Sequence, residues 1–119
     1  MKYIILFLFV FAGFSLSAQV NFKKQAHKFG VIAQGKPVTH VFTFKNNGAK
    51  PVVIETVTAD CGCTTPDYPK SPILKAQEGK ITVTYNAANP GVFTKKVHVK
   101  FAHLKDPIDL QIEGEVKGK

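Results

Sequence analysis

The period of the apolar residues constrains this chain more than any other feature. Ile81, Val83 and Tyr85 alternate with Lys80, Thr82 and Thr84, while Ile108, Leu110, Ile112 and Val116 lie opposite Asp109, Gln111, Glu113 and Glu115 across the pleat. Side chains of a strand point to opposite faces in turn, so a period of two means one buried face and one wet face. Helical spacing is not sustained anywhere after residue 18. The outer face of the last strand is acidic.

The same reading extends along the chain. Val38, Phe42 and Phe44 share a face, with Thr39, Thr43 and Lys45 opposite, and His40 has the parity of the two phenylalanines, as a residue at the edge of the core would. Asn46-Asn47-Gly48 tolerates positive φ and predicts a tight turn, with Pro51 opening the next strand as the second arm of a hairpin. In Val52–Ala59 the apolar parity switches between Ile54 and Val57, which a β-bulge near Glu55-Thr56 would repair. Residues 60–77 hold Pro66, Pro69, Pro72 and Gly62 and predict a long structured loop with a short edge strand near Ile73-Leu74. Phe93, Val97, Val99 and Phe101 share a parity interrupted by Lys95, whose stem can lie along the core edge. With a leading strand around Phe22–Ile32, these make about seven short strands with frequent turn signals. That pattern predicts an all-β, immunoglobulin-like antiparallel β-sandwich, without the tryptophan and long-range cysteine pair of antibody domains.

The N-terminal segment is different. Lys2 precedes an unbroken apolar run from Ile4 to Phe14, with small residues at Ser15, Ser17 and Ala18. This order is that of a signal peptide, residues 1–18, with cleavage best placed after Ala18 and next best after Ser17. The run is well short of the roughly 20 residues a spanning helix needs. No cysteine stands at the junction to take a lipid. The expectation is a periplasmic or secreted protein with no membrane anchor after cleavage, whose residues 19–119 form one domain with a thin core.

Sixteen basic residues against eight acids give the chain a net charge of +8, and every basic one is lysine. Phosphate clamping and base readout favour the planar arginine fork. With no arginine and no lysine cluster larger than a pair, nucleic acid is not an expected partner. The lysines are read as a solvated face, with a specific polyanion site as the alternative.

Several segments together resemble a known family. Phe29-Gly30-x-Ile32, Gly35, Phe42-x-Phe44-x-Asn46-x-Gly48, Cys61-Gly62-Cys63-Thr64, Ile81-x-Val83-x-Tyr85, Gly91-x-Phe93-x-Lys95 and Ile112-x-Gly114 stand in the order found in the bacterial domain of unknown function 1573 family. Cys-Gly-Cys-Thr, just after the strand Val52–Ala59, is the specific piece. The resemblance implies an exported Ig-like domain related to those of cilium and centrosome proteins. It implies no activity.

Cys61-Gly62-Cys63 is the one candidate for chemistry. Two residues apart on a regular strand, the Cα atoms would lie about 6.6 Å from each other, near the upper limit for a disulfide unless Gly62 shortens the path. Such a pair closes almost no loop and would stabilise little. Paired thiolates would also suit Cu(I) or Zn(II), but zinc wants four ligands. His103 is expected at the opposite end of the sandwich, and His40 and His98 fall within strands, which leaves His27 as the remaining histidine. The third reading is two packed thiols around a tight bend.

No base stands beside a serine or cysteine in a nucleophile motif, and Glu113 and Glu115 are read as a solvated face. Phosphate-cradling and calcium loops are absent from the sequence. The expectation is therefore a non-enzymatic binding module of the cell envelope, needing no cofactor and meeting another envelope protein. The first and last strands are the candidates for β-augmentation. The alternative is a thiol-redox or Cu(I)-handling protein that uses Cys61 and Cys63.

Overall fold

The computed structural model describes residues 19–118, and the segment read as a signal peptide lies outside the described residues. Eight strands follow one another: β1 (Val20–Phe22), β2 (Ala26–Ala33), β3 (Val38–Asn46), β4 (Ile54–Ala59), β5 (Thr64–Asp67), β6 (Glu78–Tyr85), β7 (Gly91–Phe101) and β8 (Ile108–Lys117). They form two four-stranded sheets, ordered β1-β3-β6-β5 and β2-β8-β7-β4. This is the expected Ig-like sandwich, with eight strands where about seven were expected. One pairing departs from the antiparallel rule, because β2 runs parallel to β8.

That departure arises where one leading strand was expected. The segment is two strands in different sheets. β1 pairs with β3, placing Phe22 opposite Phe44. After Lys23-Lys24-Gln25 the chain crosses to the other sheet and lies beside β8, from Ala26 opposite Gln111 to Ala33 opposite Lys117. Gly30, with φ +75°, sits in a bulge that shifts the register between Lys28 and Val31. The bulge switches the inward parity, so His27 and Phe29 are half-buried before it and Ile32 after it.

Inward residues of both sheets fill the core. Phe42, Phe44, Ile81 and Val83 come from one sheet, and Val97, Val99, Phe101, Leu110 and Ile112 from the other, each fully or almost fully buried. Each such side chain contributes roughly 1.5–3 kcal/mol by leaving water. Phe44 meets Phe101 edge-on across the sheets at 5.4 Å, and Tyr85 stacks on Phe93 at 4.1 Å. Lys95 is half-buried between Phe93 and Val97, as a snorkelling lysine should be.

The hairpin expected around Asn46-Asn47-Gly48 does not form. β3 pairs with β1 and β6, while β4 pairs with β7 in the other sheet, so the connection crosses between the sheets. Asn46 therefore has a different task. It is fully buried, and its Nδ2 donates to the carbonyls of Lys50 (2.8 Å) and Ile73 (2.9 Å) while its Oδ1 accepts from the Gly48 N–H (3.0 Å). The side chain replaces the strand ladder that the crossing segment has lost. Gly48 serves by its size, because a Cβ there would collide with the Gln19 side chain. The bulge near Glu55-Thr56 is present, as a register shift between Ile54 and Thr56. The strand expected near Ile73-Leu74 is only a single bridge, Val52 to Ile73, and the short edge strand is β5 instead.

Candidate functional site

The cysteine loop carries the chain from one sheet to the other in a few residues. Ala59 still pairs with Val97, and Thr64 already pairs with Tyr85. The Thr64 N–H closes the turn on the Cys61 carbonyl at 3.3 Å, and the Asn86 N–H donates to the Cys63 carbonyl at 2.9 Å. Cys61 and Cys63 are joined to each other, with Cα atoms 5.3 Å apart, closer than a regular strand would hold them. Gly62 has open space where a Cβ would be. Buried Thr64 places its Oγ1 3.8 Å from the Cys61 sulfur and 3.6 Å from the Cys63 sulfur. Paired in this way, the two sulfurs present no thiolate to a soft metal. Among the described residues, no three His, Cys, Asp or Glu side chains converge in a metal-binding arrangement.

The histidines sort differently from the sequence reading. His27, the remaining candidate partner of the cysteines, lies on β2 opposite Ile112 and stacks on His40 at 3.8 Å. Strands β8 and β7 separate it from the strand that leads to the cysteines. His98, set aside as a strand residue, is the one beside the loop. Its Nδ1 lies 2.6 Å from Asp109 Oδ1 and its Nε2 2.7 Å from Oδ1 of Asp60, the residue that precedes Cys61. The hydrogen bonds to Asp109 and then Asp60 raise the His98 pKa above its ordinary value. The ring thereby ties the root of the cysteine loop to β8. Asp109 is the cross-strand neighbour of His98, a pairing visible only once the register is known.

A second region lies on the other flank. β1 covers only the Phe44–Asn46 end of β3. The Thr43 carbonyl accepts from Lys23 N–H (3.0 Å) and the Asn47 N–H donates to Gln19 O (2.7 Å), so odd-numbered residues there face β1. By the alternation of an antiparallel ladder, Thr39 and Val41 turn their N–H and C=O groups the same way. Among the described residues, no strand pairs with that side of Val38–Phe42. An open groove of about 270 Å³ lies there, lined by Lys23, Lys24, His40, Val41, Phe42 and Thr43. The His27–His40 stack closes the core behind it, braced edge-on by Phe29 and Phe42. Burial, then the neighbouring His27 and Lys24, hold the His40 pKa below its ordinary value, so the stack favours a neutral ring. The last strand, expected as an edge, is interior: β8 lies between β2 and β7.

Solved structures share this fold. The ASH/PapD-like domain 7 of human CEP192 superposes with a TM-score of 0.72 at 11% identity, over 85% of this chain and 87% of that one. A protein of unknown function from Porphyromonas gingivalis W83 gives 0.70 at 13% identity, over 85% of this chain and 50% of that one. The secreted serine protease VesC from Vibrio cholerae gives 0.66 at 14%, over 84% of this chain and 23% of that one. This chain thus corresponds to half of the Porphyromonas protein and less than a quarter of the protease. At such identities the likeness is one of fold. No curated protein matches the sequence. The pattern of the family described as protein of unknown function (DUF1573) runs through residues 20–116, and the chain belongs to that family.

Proposed function

We propose that the chain is an exported, non-enzymatic binding module of the cell envelope that engages another protein through a sheet edge. The observation that carries this reading is the uncovered side of β3, where main-chain donors and acceptors of a central strand face an open groove. Unpaired strand edges are templates for an added strand. The signal-like N-terminus supports export, and the PapD-like fold supports a module whose use lies in its edges and loops.

The test is to express the tagged full chain in its native cells, fractionate the envelope, and cross-link before purification. A partner recovered in fixed stoichiometry from the envelope fraction supports the reading. Retention of the chain in the cytoplasm, or turnover of a substrate by the pure protein, overturns it.

A second reading is thiol-redox chemistry at Cys61 and Cys63. It is favoured by the half-buried position of the joined pair in a loop at the sheet-to-sheet crossing. Reduction by a dithiol, followed by alkylation, tests it. A Cys61→Ser, Cys63→Ser chain that keeps its partner and its phenotype removes the redox reading and leaves the first intact.

A further inference from the structure

The flank around β3 has a charge character that the whole-chain composition hides. Before Glu55 the sequence contains no Asp or Glu at all, so β2, β3 and the Lys23-Lys24 segment after β1 carry lysines and histidines, and none of the three strands has an acid. The topology gathers these three strands on one side of the sandwich, where the His27–His40 stack joins the edges of the two sheets. Acids reach this flank only from elsewhere: Glu78 lies 3.2 Å from Lys23, and Glu113 lies 3.9 Å from Lys28. Lys24 and Lys36 have no acid partner among the described residues.

The other edges are poor templates. β2 is broken by the Gly30 bulge and β4 by the register shift between Ile54 and Thr56, β5 is four residues long and contains Pro66, and β1 has three residues. The uncovered stretch Val38–Phe42 is regular in its pairing with β6 and spans about 17 Å at the usual strand rise. Val41, 43% exposed, offers an apolar side chain beside it.

We propose that the open side of β3, from Val38 to Phe42, takes an extended acidic segment of a partner protein as an added strand, with carboxylates beside Lys24. The proposal rests on the binding-module reading and adds to it the bounds of the site and the chemistry of the partner. A second copy of this chain is the wrong occupant, because it would bring Lys24 and the neighbouring Lys23 of two basic flanks together. An acidic segment instead answers the unpaired charge, while its backbone satisfies the Thr39 and Val41 groups.

The test uses the full chain without its signal and a synthetic peptide of about six residues alternating Glu and Val, long enough to span the stretch. The control peptide has Lys in place of Glu. Titration followed by NMR should shift the amides of Thr39 and Val41 and protect them from hydrogen exchange, and the lysine peptide should not do so. Val41→Pro removes the outward N–H without touching the β6 ladder and should abolish binding, its folding being checked by the unfolding midpoint. Lys24→Glu keeps the backbone intact and should weaken binding about three- to tenfold at low salt.

Shifts without amide protection would mean that the lysines merely attract anions, as an acidic polysaccharide would, and overturn the proposal. So would protection of Thr39 and Val41 that grows with protein concentration alone, which identifies a second copy. Equal binding by the Lys24→Glu chain, or no binding by the wild type, also overturns it. An envelope partner retained in cells by the Val41→Pro chain would leave the binding-module reading standing and remove this site.

Discussion

Replacing Asn46 with alanine should be among the most damaging changes to this fold, although the residue lies in a stretch that reads as an ordinary turn. Its side chain is fully buried and makes three hydrogen bonds, to Lys50 O, Ile73 O and Gly48 N. Two partners keep other bonds: Ile73 O still accepts from Val52 N–H at 2.9 Å, and Lys50 O from Gln19 Nε2. The loss is therefore about three net hydrogen bonds near 1 kcal/mol each plus a small cavity, or about 2–4 kcal/mol. With a urea m-value of roughly 1–2 kcal/mol/M for a domain of this size, the midpoint should fall by about 1–4 M at unchanged m. Asn46→Asp is the sharper variant. It puts a carboxylate against two carbonyl oxygens in a buried site, so at neutral pH it should destabilise more than alanine, and the gap should narrow as the pH falls. A loss under about 1 kcal/mol for alanine, or an aspartate variant as stable as the wild type, would refute the bracket role.

Other outcomes follow from the packing and the titrating groups. Gly79→Ala would place a Cβ inside the space of the fully buried Phe44 ring, and urea unfolding should show a loss of about 1–3 kcal/mol. His98 has a raised folded pKa, so its stabilising contribution is complete below the ordinary value near 6.5 and is lost as pH rises through the folded value; His98→Gln should flatten that slope in unfolding midpoints measured above pH 6.5. His40 has the opposite sign: stability present above its ordinary pKa is lost as pH falls through the lowered folded value, and His40→Phe should remove that acid-side loss. The Cys61–Cys63 link closes so short a ring that Cys61→Ser, Cys63→Ser should cost only about 1–2 kcal/mol in thermal or urea unfolding. A much larger loss would give the pair a structural weight that loop closure does not explain.

Much of the fold was legible because period-two burial is a local property. The inward faces of β3, β6, β7 and β8 are those that the alternation of Phe42 and Phe44, Ile81 and Val83, Val97 and Val99, and Leu110 and Ile112 predicts. Even the bulge at Glu55-Thr56 shows in the parity of its neighbours. Which strand pairs with which was not legible, since pairing is settled by the packing of both sheets together. Asn46-Asn47-Gly48 has the composition of a hairpin turn, yet it leads across the sandwich, and the buried asparagine replaces the missing ladder. The split between β1 and β2 was not read either: the apolar parity turns from even at Phe22 to odd at His27 and Phe29 and back at Ile32, and a parity change marks a bulge and a change of sheet alike. The candidate sites suffered from the same limit. The cysteine pair could be found by spacing, whereas the His98 tie to Asp60 and Asp109 needed the β7–β8 register. The uncovered side of β3 is an absence of pairing, which no residue type announces.

The most direct measurement of the central claim is site-specific photo-cross-linking in native cells, with the reactive residue placed at Val41 of the full chain and, in a second strain, at Thr65 on the opposite edge of the same sheet. The account predicts a cross-link from Val41 to an acidic extended segment of one envelope protein, weakened by Lys24→Glu, with little from Thr65. Equal labelling from both positions, or capture from Thr65 alone, would contradict it.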